Sequence, residues 1–313
     1  MNKKIVIALL AIMFVSTGCT QQLKNSDGKV IQYEQTGQTL TSNILCRPND
    51  EEIVKVYKEN GVDTDKLPTC SEFSITSGGY EGIWTTIFIK PLAFLIIKLG
   101  ELVNNYGLAI MLLGILIRLA LMPVTKKTAM QSENLKIAQP ELAKLEEKYR
   151  NKVSKEDQLR KSQEMMGIYK KYSISPLSGC LFALIQLPLF IAFLEAINRV
   201  PAVFENHFLT LQLGTTPLAG LAKGNYAYLI LVVLIAVATY FSFKLNKTAT
   251  PSDTAGMPNM KYMMIGMIVI IVFSSFNFPA AIALYWVATS TFTIVQNLWV
   301  KRQREENPII IKK

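Results

Sequence analysis

Charge is scarce in this chain, and where it is missing is informative. Only 18% of the 313 residues are Asp, Glu, Lys or Arg. Five blocks, 106–124, 177–197, 226–243, 263–276 and 279–300, hold just two charged residues between them, Arg118 and Glu195. A single histidine, His207, and four cysteines form no set with metal-ligand spacing, and no glycine-rich loop is followed by Lys and Ser or Thr to cradle a phosphate. No internal repeat gives the duplicated halves expected of a secondary transporter. No RNA- or DNA-binding module is recognisable, so nucleic acid is not read as a partner. These absences argue against a metal site, a cofactor, nucleotide hydrolysis and an enzyme in the ordinary sense.

What is present is apolar. Half of the residues are hydrophobic and the mean hydropathy is +0.27, above what a soluble domain of this length shows. A bilayer core about 30 Å thick needs about 20 helical residues. Four of the blocks meet that length, and 263–276 is short, to be accommodated by local thinning. The expected fold is an all-α integral membrane protein with five transmembrane helices.

The N-terminus reads as an export signal: Lys3 and Lys4, an apolar run over 5–15, then Ser16-Thr17-Gly18-Cys19. The placing of Cys19 after Thr17-Gly18 resembles a bacterial lipobox, with Ser16 where Leu is usual. It implies lipidation at Cys19, palmitate among the acyl chains, and cleavage of 1–18; the alternative is an ordinary signal with an incidental cysteine. Residues 19–82 are then an external segment and tether. Cys46 and Cys70 lie where disulfides persist, and a bond between them or two free thiols are both open.

The net charge of +10 is confined to particular loops. Residues 125–175 carry twelve Lys/Arg against seven Asp/Glu, and 301–313 carry five against two. Basic loops stay in the cytoplasm, which puts both inside, the loop 199–225 outside, and the C-terminus inside. An exported N-terminus and an internal C-terminus require an odd number of crossings. Residues 83–104 are also apolar, but Trp84, Ile87, Phe88, Pro91, Leu92, Leu95 and Leu99 recur at helical spacing with Lys90, Lys98 and Glu101 between them. That pattern predicts an amphipathic helix in the outer interface; a crossing there would export the twelve basic residues.

Within the basic loop, Leu135, Ala138, Leu142, Leu145 and Tyr149 repeat at 3,4,3,4, and Leu159, Ser162, Met166 and Tyr169 continue a seam after a polar break at 151–156. Two antiparallel helices packed on that seam make a coiled-coil hairpin, with a kink or fresh start at Pro140. It is a solvated spacer or a contact surface for ribosome, targeting factor or nascent chain.

Arg118 is the candidate centre. A guanidinium deep in a bilayer costs about 2.5–3.5 kcal/mol on insertion scales. Lys126 lies eight residues on, a rise of about 12 Å on a straight helix, which argues for a hydrated pocket over snorkelling. Tyr285, Thr289, Thr293 and Gln296 fall on one helical face at 4,4,3 spacing, and Gln186, Thr239 and Ser242 come from other spans. They either line a groove or tie helices together.

Taken in order, Tyr106-Gly107-Leu108-Ala109-Ile110, Ile117-Arg118-Leu119 with Pro123, Gln139-Pro140-Glu141, Pro176-Leu177-Ser178-Gly179-Cys180 with Gln186-Leu187-Pro188, and Phe278-Pro279 with Leu284-Tyr285-Trp286 resemble the YidC family of insertases, relatives of the mitochondrial Oxa and chloroplast Albino proteins. The resemblance covers 83–302. It implies five transmembrane helices around a hydrophilic groove closed toward the outside, with Arg118 its positive centre and Trp286 on its wall. Ser242 stands where family members often have Gln. It also implies nascent membrane proteins as substrates, the ribosome or a targeting factor at the hairpin, and the Sec translocon as a further partner. The organisation is then 1–18 signal, 19–82 external segment, 83–104 interfacial helix, 105–125 first span, 126–175 hairpin, 176–198 second span, 199–225 external loop, 226–244 third span, 245–261 cytoplasmic loop, 262–276 and 279–300 last two spans, and 301–313 basic tail, all in the cell membrane. A small-anion transporter and a purely structural lipoprotein are the rival readings.

Overall fold

The computed structural model describes residues 20–152, 154–175, 178–245 and 260–306. The signal 1–18, the lipidation site Cys19, most of the loop 245–261 and the end of the tail lie outside the described residues. The chain folds into two compact units, taken in turn below.

The first unit is drawn from Met1–Ile117, Leu184–Val237 and Ile271–Thr289. Its N-terminal part, expected to be a tether, is an ordered domain. Strands β1 (Gln32–Tyr33) and β2 (Gln38–Thr39) pair antiparallel around Gly37, whose φ of +70° suits glycine. Helix α1 (Glu51–Glu59) starts where the Asp50 side chain accepts the amide of Glu52, and it has Glu51 and Glu52 in its first turn and Lys58 in its last. Its Ile53 and Tyr57 close a small core with Leu23, Leu40 and Ile44. Cys46 and Cys70 are joined by a disulfide. Polar side chains dominate this stretch, and a short helical pattern over 51–60 is the one periodic run that announces its core.

A π-helical turn over Thr85–Ile89 leads into α2 (Lys90–Leu102), with Pro91 in its first turn. The face that packs inward is Ile89, Ala93, Ile96 and Ile97, together with Lys90. Ile87, Phe88 and Leu95, placed on one expected stripe with Trp84, are exposed, while Trp84 is buried. The same buried cluster takes in Ile110 and Leu113 of α3 (Tyr106–Ala120), Phe193 and Ile197 of α6 (Ser178–Asn198), Leu231 and Ile235 of α9 (Ala227–Leu245), and the start of α11 (Ala280–Glu306).

Between α6 and α9 the loop 199–225 forms a short α7 (Pro201–Phe204), a hairpin of β3 (His207–Phe208) and β4 (Leu211–Gln212), and α8 (Pro217–Ala222). Thr216 caps α8 through its hydroxyl. The disulfide-bonded domain sits on this loop. Thr216 N donates to Thr36 O at 3.1 Å and Leu45 N to Arg199 O at 2.8 Å, and the Glu205 carboxylate accepts the amides of Asn49 and Asp50 at 2.7 and 3.0 Å.

The second unit is drawn from Arg118–Ala183, Ala238–Ile270 and Ser290–Lys313. Helices α4 (Met122–Tyr149) and α5 (Lys155–Lys171) form the expected hairpin, with Ser154 accepting the Asp157 amide at the start of α5. Helix α4 runs unbroken through Pro140. Pro140 lies on the exposed side, where water can satisfy the carbonyl its ring leaves without a donor. The α4 seam is as spaced, but α5 presents Met165, Ile168 and Tyr169, followed by Tyr172, and leaves Leu159 and Met166 exposed. Pairs across the hairpin fix this register: Lys148 to Glu164 at 2.7 Å, the Tyr149 hydroxyl to Glu164 at 2.8 Å, and Lys171 to Glu141 at 3.0 Å. The Lys148 and Tyr149 hydrogen bonds hold the Glu164 carboxyl below its ordinary value.

Helices stand at all five charge-poor blocks: α3, α6, α9, α10 (Met260–Ser275) and α11. Among the described residues α9 alone is long and apolar enough to cross a membrane by itself, or two spans qualify if α3 and α4, bent at Leu121, count as one.

Candidate functional site

Arg118 lies in the last turn of α3, where the partial negative charge of a helix C-terminus favours a cation. The helix stops at Ala120 and restarts at Met122, so depth cannot be measured along a straight rod to Lys126. Arg118 is buried within the protein, only 7% exposed.

On α11 the residues Tyr285, Thr289, Thr293 and Gln296 are all buried. Their roles differ. In the first unit Thr289 donates to the Tyr285 carbonyl of its own helix at 2.8 Å, so its proton is engaged locally. Tyr285 stacks on Phe193 with centroids 4.1 Å apart. Trp286 meets Phe190 edge to face at 5.1 Å, and Gln186, one turn before Phe190, is half-buried. Gly114 of α3 lets the helices approach: a Cβ there would stand 3.0 Å from Thr289 Cγ2 and 3.1 Å from Tyr285 Cδ2. Phe190, Phe193 and Gly114 are site neighbours that single-helix spacing does not reveal.

In the second unit Gln296 Nε2 donates to Thr125 Oγ1 at 2.7 Å, which makes Gln296 a tie between α11 and α4. Thr125 in turn bonds the Leu121 carbonyl at 3.2 Å. Thr239 and Thr293 are buried and Ser242 is half-buried. Lys126 lies 4.5 Å over the Trp299 ring, and Lys136 reaches the Leu245 carbonyl at 3.0 Å at the end of α9. The nine residues picked from sequence therefore divide, with Gln186, Tyr285, Trp286 and Thr289 in the first unit and Arg118, Thr239, Ser242, Thr293 and Gln296 in the second.

A second polar centre, in the first unit, was not foreseen. Lys90 and Arg199 are both fully enclosed, at 0% and 2% exposure. Lys90 Nζ donates to Ser77 O at 2.7 Å and pairs with Glu81 Oε1 at 2.9 Å. Arg199 donates to Asn43 O at 2.6 Å, to Thr85 Oγ1 at 3.3 Å and to Glu81 Oε2 at 2.6 Å. Burial opposes ionisation of Glu81, but the hydrogen bonds from Lys90 and Arg199 outweigh it and hold the carboxyl below its ordinary value. Nearby, Trp84 Nε1 donates to Glu195 at 3.3 Å. The available signal was Lys90 itself, a cation on the inner side of an apolar helix.

Comparison with known proteins supplies the family. Residues 96–307 match the model of the 60Kd inner membrane protein family. The chain is 37% identical over 221 residues to membrane protein insertase YidC 2 of Bacillus anthracis, covering 70% of this chain and 82% of that protein. It is 38% identical over 219 residues to membrane protein insertase MisCA of Bacillus subtilis, covering 70% and 79%, and 34% identical over 256 residues to membrane protein insertase YidC of Oceanobacillus iheyensis, covering 80% and 94%. A crystal structure described as an active YidC insertase with its first transmembrane domain resolved aligns over 78% of this chain and 49% of that one, with 22% identity and a TM-score of 0.48. By the extent of the family match and by these relatives, the chain belongs to the YidC family of membrane protein insertases.

Proposed function

We propose that this protein inserts other membrane proteins into the cell membrane, moving short polar segments of nascent chains outward and releasing their apolar helices into lipid, without hydrolysing ATP itself. Five spans, 105–125, 176–198, 226–244, 262–276 and 279–300, enclose a hydrophilic groove to which Arg118, Gln186, Thr239, Ser242, Tyr285, Trp286, Thr289, Thr293 and Gln296 contribute. The lipid-anchored N-terminus and the loop 199–225 face outward, while the hairpin 126–175 and the basic tail face the cytoplasm. The hairpin is the contact for ribosome or targeting factor, and the Sec translocon is a further candidate partner.

The observation that carries the reading is Arg118, the only charged residue in α3 and a buried one. A permanent cation buried on an apolar helix attracts an acidic segment and shortens the dry path it must cross. At about 25 cal/mol per Å² of apolar area, transferring a whole helix into lipid outweighs the desolvation of a short polar tail, so the substrate drives its own release. The test uses single-span substrates with acidic outward tails and vesicles reconstituted with the full chain. Arg118→Ala and Arg118→Glu abolish insertion, and Arg118→Lys, which keeps the charge but not the planar donor set, retains part of it. Full insertion by the Glu variant overturns the mechanism.

A further inference from the structure

Three exposed apolar side chains gather at one end of the first unit. Leu209, in the turn between β3 and β4, is 83% exposed; Leu102 ends α2, and Tyr226 immediately precedes α9, both also well exposed. They come from separate segments brought to one place. Asn105 Nδ2 lies 3.4 Å from His207 O, and Asn225 Nδ2 lies 3.5 Å from Thr210 O. A Cβ on Gly107 would stand 2.6 Å from Phe208 Cβ, so the hairpin rests directly on the first turn of α3.

The base of this hairpin is fixed from several sides. Gln212 N donates to the Tyr228 hydroxyl at 2.9 Å, and that hydroxyl donates to Gln212 O at 3.2 Å. The Gln212 side chain donates to Phe204 O and accepts from Thr215 Oγ1 at 3.0 Å. On this rigid base the tip residue Leu209 has φ +54°, the left-handed region that L-residues with a bulky Cβ substituent avoid. Glycine or asparagine is the usual occupant of such a turn position. A leucine there carries backbone strain and also presents apolar surface outward, a combination that water does not stabilise.

The neighbourhood says what covers it. Tyr226 continues into the outward side chains Leu229, Ile230, Val233 and Val237 of α9, the helix that can cross a membrane by itself. Leu102 leads similarly into Leu108 and Leu112 on α3. The patch begins where these two apolar stripes end, which is the level of the bilayer surface, and tyrosine is a residue type enriched there. The nearby carboxylate of Glu205 is turned into the disulfide-bonded domain, where Asn49 and Asp50 take it.

We propose that Leu102, Leu209 and Tyr226 form a lipid-contact patch, with the β3–β4 tip seated at the headgroup and acyl boundary of the outer leaflet. The outer side follows from the disulfide, which persists in an oxidising compartment. The proposal rests on the membrane reading of α3 and α9 given above, and it gives the external hairpin a partner, the lipid surface. Leu209→Trp and, separately, Tyr226→Trp in the full chain, held in phosphatidylcholine–phosphatidylglycerol nanodiscs, test it through the emission added over the parent protein. Lipid brominated in the upper acyl chain removes most of the added emission, which is blue-shifted, while iodide leaves it. Emission at the wavelength of water-exposed indole, quenched by iodide and unchanged by brominated lipid, overturns the proposal. If Leu209→Trp does not fold, Tyr226→Trp, aromatic for aromatic, gives the same two outcomes. The readout needs no substrate, so a chain that contacts lipid but fails to insert counts against the insertase reading alone, and one that inserts with water-quenched probes counts against this patch alone.

Discussion

Glu81 serves two enclosed cations at once, so its loss leaves both Lys90 and Arg199 without their carboxylate. Removing one partner of a buried ion pair costs about 3–5 kcal/mol. Glu81 itself keeps 35% of its side chain in solvent, so Glu81→Ala is expected to cost about 2 kcal/mol once solvent screening is allowed for. The thermal midpoint of the purified protein reads this, and an unchanged midpoint excludes the network as a stabilising device. The sign of the pH dependence follows from the depressed carboxyl of Glu81. Its contribution is present above the ordinary carboxylate value and is lost as pH falls through the folded value, hence below about pH 4.3. Melting curves from pH 7 downward should show the parent losing its advantage over Glu81→Gln in that window. Gly114 makes the complementary case, where the needed property is the lack of a side chain. With Thr289 Cγ2 3.0 Å from a would-be Cβ, Gly114→Val overpacks the α3 and α11 contact at a cost of about 1–3 kcal/mol, read as a lowered midpoint.

At the level of elements, a helix is legible when its apolar residues repeat on one side only. The α4 seam satisfies that condition, and Ala138, Leu145 and Tyr149 are buried as spaced. Helix α5 does not, because Met165 and Met166 offer equivalent stripes one residue apart, and the choice is made by Lys148, Glu164, Glu141 and Lys171, residues that a hydrophobic count ignores. Ile168→Ala should therefore cost about 2–4 kcal/mol, while Met166→Ala and Leu159→Ala stay within about 0.5 kcal/mol. Amide hydrogen exchange across α4 and α5 distinguishes them, and equal deprotection by Met166→Ala and Ile168→Ala would reject this register. The same logic explains what was readable of the site. The buried stripe of α11 follows from its 4,4,3 spacing, whereas Thr125, Phe190, Phe193 and Gly114 depend on which helix lies opposite.

For the molecule as a whole, the least legible part is the disulfide-bonded N-terminal domain, whose few apolar residues cannot hold a fold by area alone. Leu23, Leu40, Ile44, Ile53 and Tyr57 make a core too small for an isolated domain, and domains this small depend on covalent links. Here the link closes a loop with a sequence separation of 24, a constraint that contributes about 3 kcal/mol in the chain-entropy account. The disulfide also abuts the docking contacts, since Asn43 and Leu45, just before Cys46, exchange hydrogen bonds with Arg199. Loosening the loop should therefore both open the domain and expose the ion pairs beneath it. The double variant Cys46→Ala/Cys70→Ala, and the parent treated with a reductant, should each be cut by trypsin at Lys55, Lys58 and Lys66 several-fold faster than the oxidised parent. Glu205→Ala, which removes the acceptor for Asn49 and Asp50 but leaves the loop closed, should accelerate cleavage less. If the double variant and the reduced parent keep the parent's protection, the docking contacts suffice and the bond adds no measurable order; if Glu205→Ala is cut as fast as the double variant, docking rather than loop closure holds the domain.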